Sequence, residues 1–426
     1  MAHPNLWYPY TQAKTAPDPI KVIAAQGAWL ELENGQRILD CISSWWVNLY
    51  GHAHPHIAEA IYTQARTLEQ VIFSGFTHQP AETLAERLTA LLPPPLTRVF
   101  YSDNGSTAVE VALKMAYQYW LNQKQQRRTF IAFEGAYHGD TFGAMSVCAR
   151  STYSDAFAPM LFEVEFIPFP DTFLGDPEVE AKEAAALAIL QEKLQQNPDR
   201  YAGVIVEPLV QGAYGMRMGR PQFLQQVQQC LQEWGVLLIF DEVMTGFGRL
   251  GTTFACDRVG ICPDMICLSK GITGGFLPFS ATVCTEAIYE AFYSEDLSKT
   301  LYHGHSYAGN PLGCAAAIAG LDLLPQYEPR FAALENQHLE HLQALKDYPQ
   351  VERLRVTGTI AAMDITTVPE GYLNSVSVQV RQLAIEHNLL LRPLGNVLYL
   401  LPPYCITDEE LAFIYGGIRA ILEKLA

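Results

Sequence analysis

Lys270 stands in the stretch Cys267-Leu-Ser-Lys-Gly-Ile-Thr-Gly-Gly, with apolar residues before it and small ones beside it. An amine partly withdrawn from water has a depressed pKa and becomes a nucleophile able to form a Schiff base. Asp241 lies 29 positions earlier and ends the apolar run Val236-Leu-Leu-Ile-Phe. Gly105-Ser106, after Asp103-Asn, offers backbone N–H groups and a hydroxyl at a helix start, an anion site suited to a phosphate. Each feature alone has an ordinary reading: a surface lysine, a solvated or capping acid, a serine cap. Together they meet three separate requirements of one cofactor, pyridoxal phosphate. The acid keeps the pyridine nitrogen protonated, so that the ring takes up the electron pair released at the substrate α-carbon. The lysine holds the aldehyde and then shuttles the proton. Tyr137, in Gly135-Ala-Tyr-His-Gly-Asp-Thr, follows the apolar run Phe130-Ile-Ala-Phe and can stack on the ring.

The elements that must position these groups read as strand–helix–strand units. Val204-Ile-Val is a buried strand; Pro221 suits the first turn of a helix running to Trp234, and Gly235 its C-terminal stop. Val236 to Phe240 is the next strand, so the pair is parallel with a right-handed crossover. An earlier unit joins a strand at Arg98-Val-Phe-Tyr, a turn at Asp103-Asn-Gly-Ser and a helix from Thr107 to Leu121. Thr107-Ala-Val-Glu110 supplies a capping box at or beside that helix start. In an open parallel sheet ligands gather beyond the carboxyl ends of the strands, where Asp241 and Gly105-Ser106 would both emerge. Near the N-terminus, Gly27-Ala-Trp-Leu-Glu-Leu alternates apolar and polar positions, and Asn34-Gly marks a hairpin turn before Arg37-Ile-Leu-Asp. The organisation expected is an N-terminal segment (1–55) serving the active site and a smaller lobe, a large cofactor-binding domain (56–315), and a small C-terminal α+β domain (316–426).

The 426 residues are 49% hydrophobic and 17% charged, enough apolar material for a large core, which excludes disorder for the chain as a whole. The net charge of −17 repels phosphate backbones and anionic lipid, so nucleic-acid and membrane partners are not expected. No apolar run reaches the ~18 residues that a spanning helix needs, and no secretory leader is evident. The nine cysteines include no CxxC pair, and Cys256, Cys262 and Cys267 lack zinc spacing, so reduced thiols in a cytoplasmic protein are expected and no metal site. His52, His54 and His56 read as turn residues around Pro55. A G-x-G-x-x-G fingerprint does not follow the first strand of a βαβ unit, which argues against a nicotinamide enzyme.

With these residues in view, the sequence resembles the class III aminotransferases of fold type I. The segments that carry the resemblance span nearly the whole chain. They include Trp7-Tyr-Pro-Tyr-Thr, Ser43-Ser-Trp-Trp, Asp103-Asn-Gly-Ser, Glu207-Pro, Asp241-Glu-Val-Met-Thr-Gly-Phe-Gly-Arg, Ser269-Lys-Gly, Gly309-Asn-Pro and Leu391-Arg-Pro. The resemblance implies an α/β fold: a large domain with a mostly parallel central sheet covered on both faces, plus a smaller α+β lobe formed by both termini. Tyr-Pro-Tyr, the paired tryptophans and Tyr399-Leu-Leu-Pro-Pro-Tyr are narrower signals. They resemble the branch that moves an amino group from S-adenosylmethionine to 8-amino-7-oxononanoate on the way to biotin.

The resemblance also implies roles. Lys270 and Asp241 are the catalytic pair, with Tyr10 beside them. Gly105 and Ser106 hold the phosphate, with His305 adjacent and Ser306 supplied by the partner subunit of a homodimer. Tyr137 stacks on the ring, and Trp45, Tyr10, Gly304, Arg392 and Tyr399 line or border the substrate pocket. An arginine fork with an aromatic slot suits an apolar chain ending in a carboxylate. Aromatic faces suit a sulfonium cation that carries an adenine, and Asp140 can face the cationic part. Two positions depart from the family pattern. His305 stands where a small residue or proline is common, and Tyr214 interrupts a run that is commonly glycine-rich. Two alternatives remain open from sequence: lysine as the donor, or another ω-amine aminotransferase of the ornithine, 4-aminobutyrate or diamine type.

Overall fold

A computed structural model describes residues 3–366 and 376–425. The chain opens with an antiparallel meander: β1 (Val22–Gln26), β2 (Trp29–Leu32) and β3 (Arg37–Asp40), with the expected Asn34-Gly35 turn between the last two. The central sheet follows from β4 (Leu96–Ser102), β5 (Thr129–Phe133), β6 (Val164–Ile167) and β7 (Tyr201–Val206). A two-stranded ribbon, β8 (Val210–Gln211) and β9 (Arg217–Met218), interrupts before β10 (Leu237–Asp241), β11 (Met265–Leu268) and β12 (Ser280–Thr285). Its seven strands lie in the order β4-β12-β11-β10-β7-β5-β6, and β12 alone runs antiparallel to its neighbours. Strands β5, β7, β10 and β11 are buried along their whole length, as continuous apolar runs in a sheet covered on both faces must be.

The helices obey their sequence signals at most ends. Pro221–Trp234 starts on its proline and stops where Gly235 takes a left-handed conformation. The helix Gly105–Asn122 is capped differently from expectation. Asn104 is the N-cap and Thr107 closes the box, while Glu110 turns away to accept from Thr141 Oγ1 and from the Gly143 and Ala144 N–H groups. The reason is positional: a capping box needs its second member at the third helical residue, which Thr107 occupies.

The smaller lobe is built from both ends of the chain. Its antiparallel sheet comprises β13 (Val351–Thr357), β14 (Ile360–Ile365) and β16 (Val397–Leu400), and the short β15 (Leu389–Leu390) pairs with β3 in the N-terminal meander. The helix Pro311–Gln343 runs unbroken through 315/316 and packs on the helix Pro55–Ala65 as well as on β13 and β14. All nine cysteines are free, and no group of three metal-ligating side chains occurs among the described residues. Among them, too, no helix is long and apolar enough to cross a membrane. The three early histidines go separate ways: His52 pairs with Asp40, His56 with Asp322, and His54 precedes a helix.

Candidate active site

Parallel pairing puts the acid at the end of one strand and the amine just beyond the end of the next. Asp241 is the last residue of β10 and stands in register with Cys267 of β11, three positions before Lys270. The Asp241 carboxylate is buried; Oδ1 accepts the Val243 N–H (3.0 Å), and Oδ2 lies 2.7 Å from His138 Nδ1. Lys270 opens a short 3-10 turn with φ of 43°, a strained conformation for a residue with a side chain. Its amine lies 5.0 Å from the centre of the Trp46 ring and has no ion pair among the described residues. Burial pushes the Lys270 pKa down, and the nearby charges of Asp241 and Glu207 oppose the shift only in part. Burial thus favours the neutral, nucleophilic form of the amine.

Lys270 opens onto a cavity of about 880 Å³ whose wall also includes Tyr10, Trp45, Tyr137, Arg392 and Tyr399. Five sequence-predicted substrate and ring contacts thus meet around the predicted lysine. Tyr10 donates to Asp140, and its hydroxyl is 3.5 Å from that of Tyr137. Burial, then Tyr10 and Asp140, push the Tyr137 phenol pKa far up, so it stays protonated. The Arg392 guanidinium lies 4.5 Å from the centre of the Trp45 ring and makes no ion pair among the described residues. The neighbouring indole faces elsewhere: Trp46 Nε1 donates to Tyr399 Oη at 2.9 Å.

This splay of adjacent tryptophans comes from an irregular turn. Ser43, Ser44 and Trp46 have φ of 52°, 59° and 64°, and each such non-glycine residue costs on the order of 1–3 kcal/mol. Arg249, buried, holds the far side of the turn through the Asn48 and Trp46 carbonyls.

The expected phosphate cradle lies where a loop meets a helix, outside the residues that line the cavity. Gly105 and Ser106 are the first residues of their helix, where backbone N–H groups lack intrahelical partners. Asp140, in the cavity wall, donates its N–H to Ser106 Oγ (3.2 Å). Gly139 approaches so closely that a Cβ there would stand 2.2 Å from Ser106 Oγ, and its φ is 133°. Gly304, His305 and Ser306 are outside the cavity of their own chain. The Ser306 carbonyl accepts from Gln70, and His305 engages both ring nitrogens, with Asp103 at 2.8 Å and His303 at 3.1 Å. Within one chain, both His305 ring nitrogens are thus engaged.

Three features escaped the sequence reading. His138, next to Tyr137, is the buried partner of Asp241, and its Nε2 is left without a partner. Glu207 accepts the Tyr137 and Gly212 N–H groups, and burial lifts its pKa to about 7. Arg217, Arg353 and Arg355 line the outer wall, tied to Asp171 and Asp364. Adjacency to Tyr137 was a usable signal for His138; nothing local marks the arginines.

These residues fit pyridoxal phosphate on the chain's own geometry: an unpaired amine in the cavity wall, a buried carboxylate behind it, a wall tyrosine, and a helix start pinned by Gly139. Comparison with known proteins agrees. The class III aminotransferase family model matches residues 10–422. The chain is 60% identical, over the full length of both, to the adenosylmethionine-8-amino-7-oxononanoate aminotransferase of Synechococcus elongatus. It is 40% identical to that of Geobacter sulfurreducens, over 97% of this chain and 95% of the relative. Among solved structures it is similar to the adenosylmethionine-8-amino-7-oxononanoate aminotransferase of Methanocaldococcus jannaschii, with TM-score 0.92 and 33% identity over 99% of this chain and 97% of the other. An amine transaminase from an uncultivated Pseudomonas species, solved in its PLP-bound form, matches with TM-score 0.94 and 30% identity over all of both chains. The chain belongs to the class III aminotransferases.

Proposed function

We propose that this aminotransferase takes an amino group from S-adenosylmethionine and delivers it to 8-amino-7-oxononanoate, giving 7,8-diaminononanoate for biotin synthesis, as a cytoplasmic homodimer. The observation that carries the reading is the Trp45–Arg392 stack in the cavity of Lys270. A guanidinium without a carboxylate partner among the described residues, at the end of an aromatic slot, suits an apolar chain that ends in a carboxylate. The same slot receives donor and acceptor in turn, and Asp140 with the rings of Tyr10 and Tyr137 suits the donor's sulfonium.

Lys270, Asp241, Tyr137, Gly105 and Ser106 would hold pyridoxal phosphate, which supplies an aldehyde to receive the amine and a ring that stores an electron pair. Lys270 Nζ would take the proton from the donor's amine-bearing carbon and give it up again within the same half-reaction, and would run the transfer in reverse on the acceptor carbon. Asp241, fixed by His138 and the Val243 N–H, would hold the proton of the pyridine nitrogen. Tyr137, with its N–H on Glu207, keeps its ring at the cavity wall, and its protonated phenol remains a donor. Ser306, exposed on the chain that carries it, would complete the partner's phosphate pocket, and exposed Gly304 the substrate pocket. Exposed Ile72, Phe76, Tyr302 and Tyr307 support burial of that region against a second copy.

The test is a panel with S-adenosylmethionine or lysine as donor and 8-amino-7-oxononanoate or 2-oxoglutarate as acceptor, followed by the cofactor's absorbance. The reading expects change with S-adenosylmethionine and return with 8-amino-7-oxononanoate. Return with 2-oxoglutarate alone overturns the acceptor, and change with lysine alone overturns the donor.

A further inference from the structure

The turn that splays Trp45 and Trp46 is strained at three side-chain-bearing residues, so something must hold it. Asp40, the last residue of β3, is completely buried and lies at the foot of the turn. Its Oδ1 accepts the Ile42 N–H at 3.1 Å. Its Oδ2 accepts the Ser44 N–H at 2.6 Å and the Ser44 hydroxyl at 3.2 Å, and lies 2.9 Å from His52 Nε2. One carboxylate thus engages two backbone donors inside the turn, a side chain of the turn, and a ring from the next loop. Ser43 Oγ donates to the Leu401 carbonyl, which ties the same turn to the segment after β16.

We propose that Asp40 is a positioning residue for the substrate pocket: its carboxylate stabilises the left-handed Ser44 and so aims Trp45 at Arg392 and Trp46 at Lys270 and Tyr399. This rests on the reading of the Trp45–Arg392 stack as the carboxylate receptor. Asp40 touches neither substrate nor cofactor and acts only through the turn. An aspartate is required because both oxygens must accept. In an asparagine one end becomes an NH₂, which would face either the Ile42 N–H or the Ser44 N–H, and a backbone donor would lose its acceptor.

The test compares Asp40→Asn with Asp40→Asn/Ser44→Gly in the cofactor-loaded enzyme. Loss of the clamp is expected to raise the KM for 8-amino-7-oxononanoate by about tenfold or more, with a much smaller change in kcat and the cofactor absorbance retained. Glycine adopts the φ of Ser44 without support, so the double variant should recover much of the lost KM. Because a glycine at this φ also relieves strain in general, urea unfolding of both variants measures that gain separately from the KM. An unchanged KM in Asp40→Asn, or a double variant as impaired as the single, overturns the proposal. Should Asp40→Asn alone fail to retain cofactor, recovery of absorbance and KM in the double variant supports it, and failure to recover counts against it. Near-ultraviolet circular dichroism of the Trp45–Tyr10 ring pair, centroids 5.8 Å apart, gives a readout free of substrate. The wild type should show a band that Asp40→Asn loses and the double variant regains. If the wild type does not turn over the acceptor, the reading of the pocket fails, and the dichroism still decides the clamp.

Discussion

Replacing Arg392 by alanine tests the carboxylate receptor directly. The guanidinium has no acidic partner among the described residues and is held by the face of Trp45. Its removal therefore breaks no ion pair within the protein, and the loss falls on the ligand. A hydrogen bond to a charged group contributes about 1.5–3 kcal/mol, so the acceptor's kcat/KM should fall by roughly 10- to 150-fold. Arg392→Lys keeps the charge but not the planar fork or its stacking, and a loss of about fivefold, near 1 kcal/mol, is expected. The assay is steady-state turnover at saturating donor with 8-amino-7-oxononanoate and with its methyl ester, on wild type and Arg392→Ala. If the arginine reads the carboxylate, wild type prefers the acid and the variant does not, so the coupling of the two changes approaches the whole loss. Equal losses for acid and ester, or release of the cofactor, would refute the assignment.

Other expectations follow from the same geometry. Lys270→Met should abolish the lysine-linked visible absorbance and lower turnover by about 10²–10⁴-fold or more. Because burial holds the Lys270 pKa below its unfolded value, cofactor-free wild type gains stability as pH rises toward 10.5. Cofactor-free Lys270→Met should lack that gain, and parallel melting curves between pH 7 and 10 would contradict it. Burial also pushes the His338 imidazole down to about 3, so folding is weakened as pH falls below about 6.5, by up to about 1.4 kcal/mol per pH unit from this group. His338→Gln should therefore flatten the dependence of Tm on pH between 6 and 4, and an unaltered slope would count against it. Tyr399→Phe leaves the buried Trp46 indole N–H without the acceptor seen here, at a cost of about 1–3 kcal/mol in urea unfolding; a change below about 0.5 kcal/mol would show that another acceptor takes over.

The legible parts of this protein were those written in apolar runs and punctuation. Strands β5, β7 and β10 declare themselves as uninterrupted hydrophobic stretches, and Pro221 and Gly235 mark the helix between two of them. Because strand ends fix where side chains emerge, Asp241 and Gly105-Ser106 could be assigned to one rim from the sequence alone. What stayed hidden depends on contacts distant in sequence. His138 meets Asp241 across 103 residues, and Arg355 reaches the Gly215 carbonyl across 140. The Glu110 side chain shows the opposite error: a local pattern was present, but a partner 33 residues away, the Gly143 N–H, claimed it. The partners of His305, Asp103 and His303, were equally out of reach of the sequence, Asp103 lying 202 residues away.

The register of β10 against β11 has an evolutionary consequence. Peptide hydrogen bonds of the sheet set the spacing between Asp241 and the segment that leads to Lys270, so drift in the surrounding walls leaves that spacing intact. Tyr10, Trp45, Arg392 and Tyr399, by contrast, come from the two extremities of the chain. The walls of the cavity can thus change at the ends of the chain without altering that register. The scaffold itself is shared at TM-score 0.94 with an amine transaminase 30% identical.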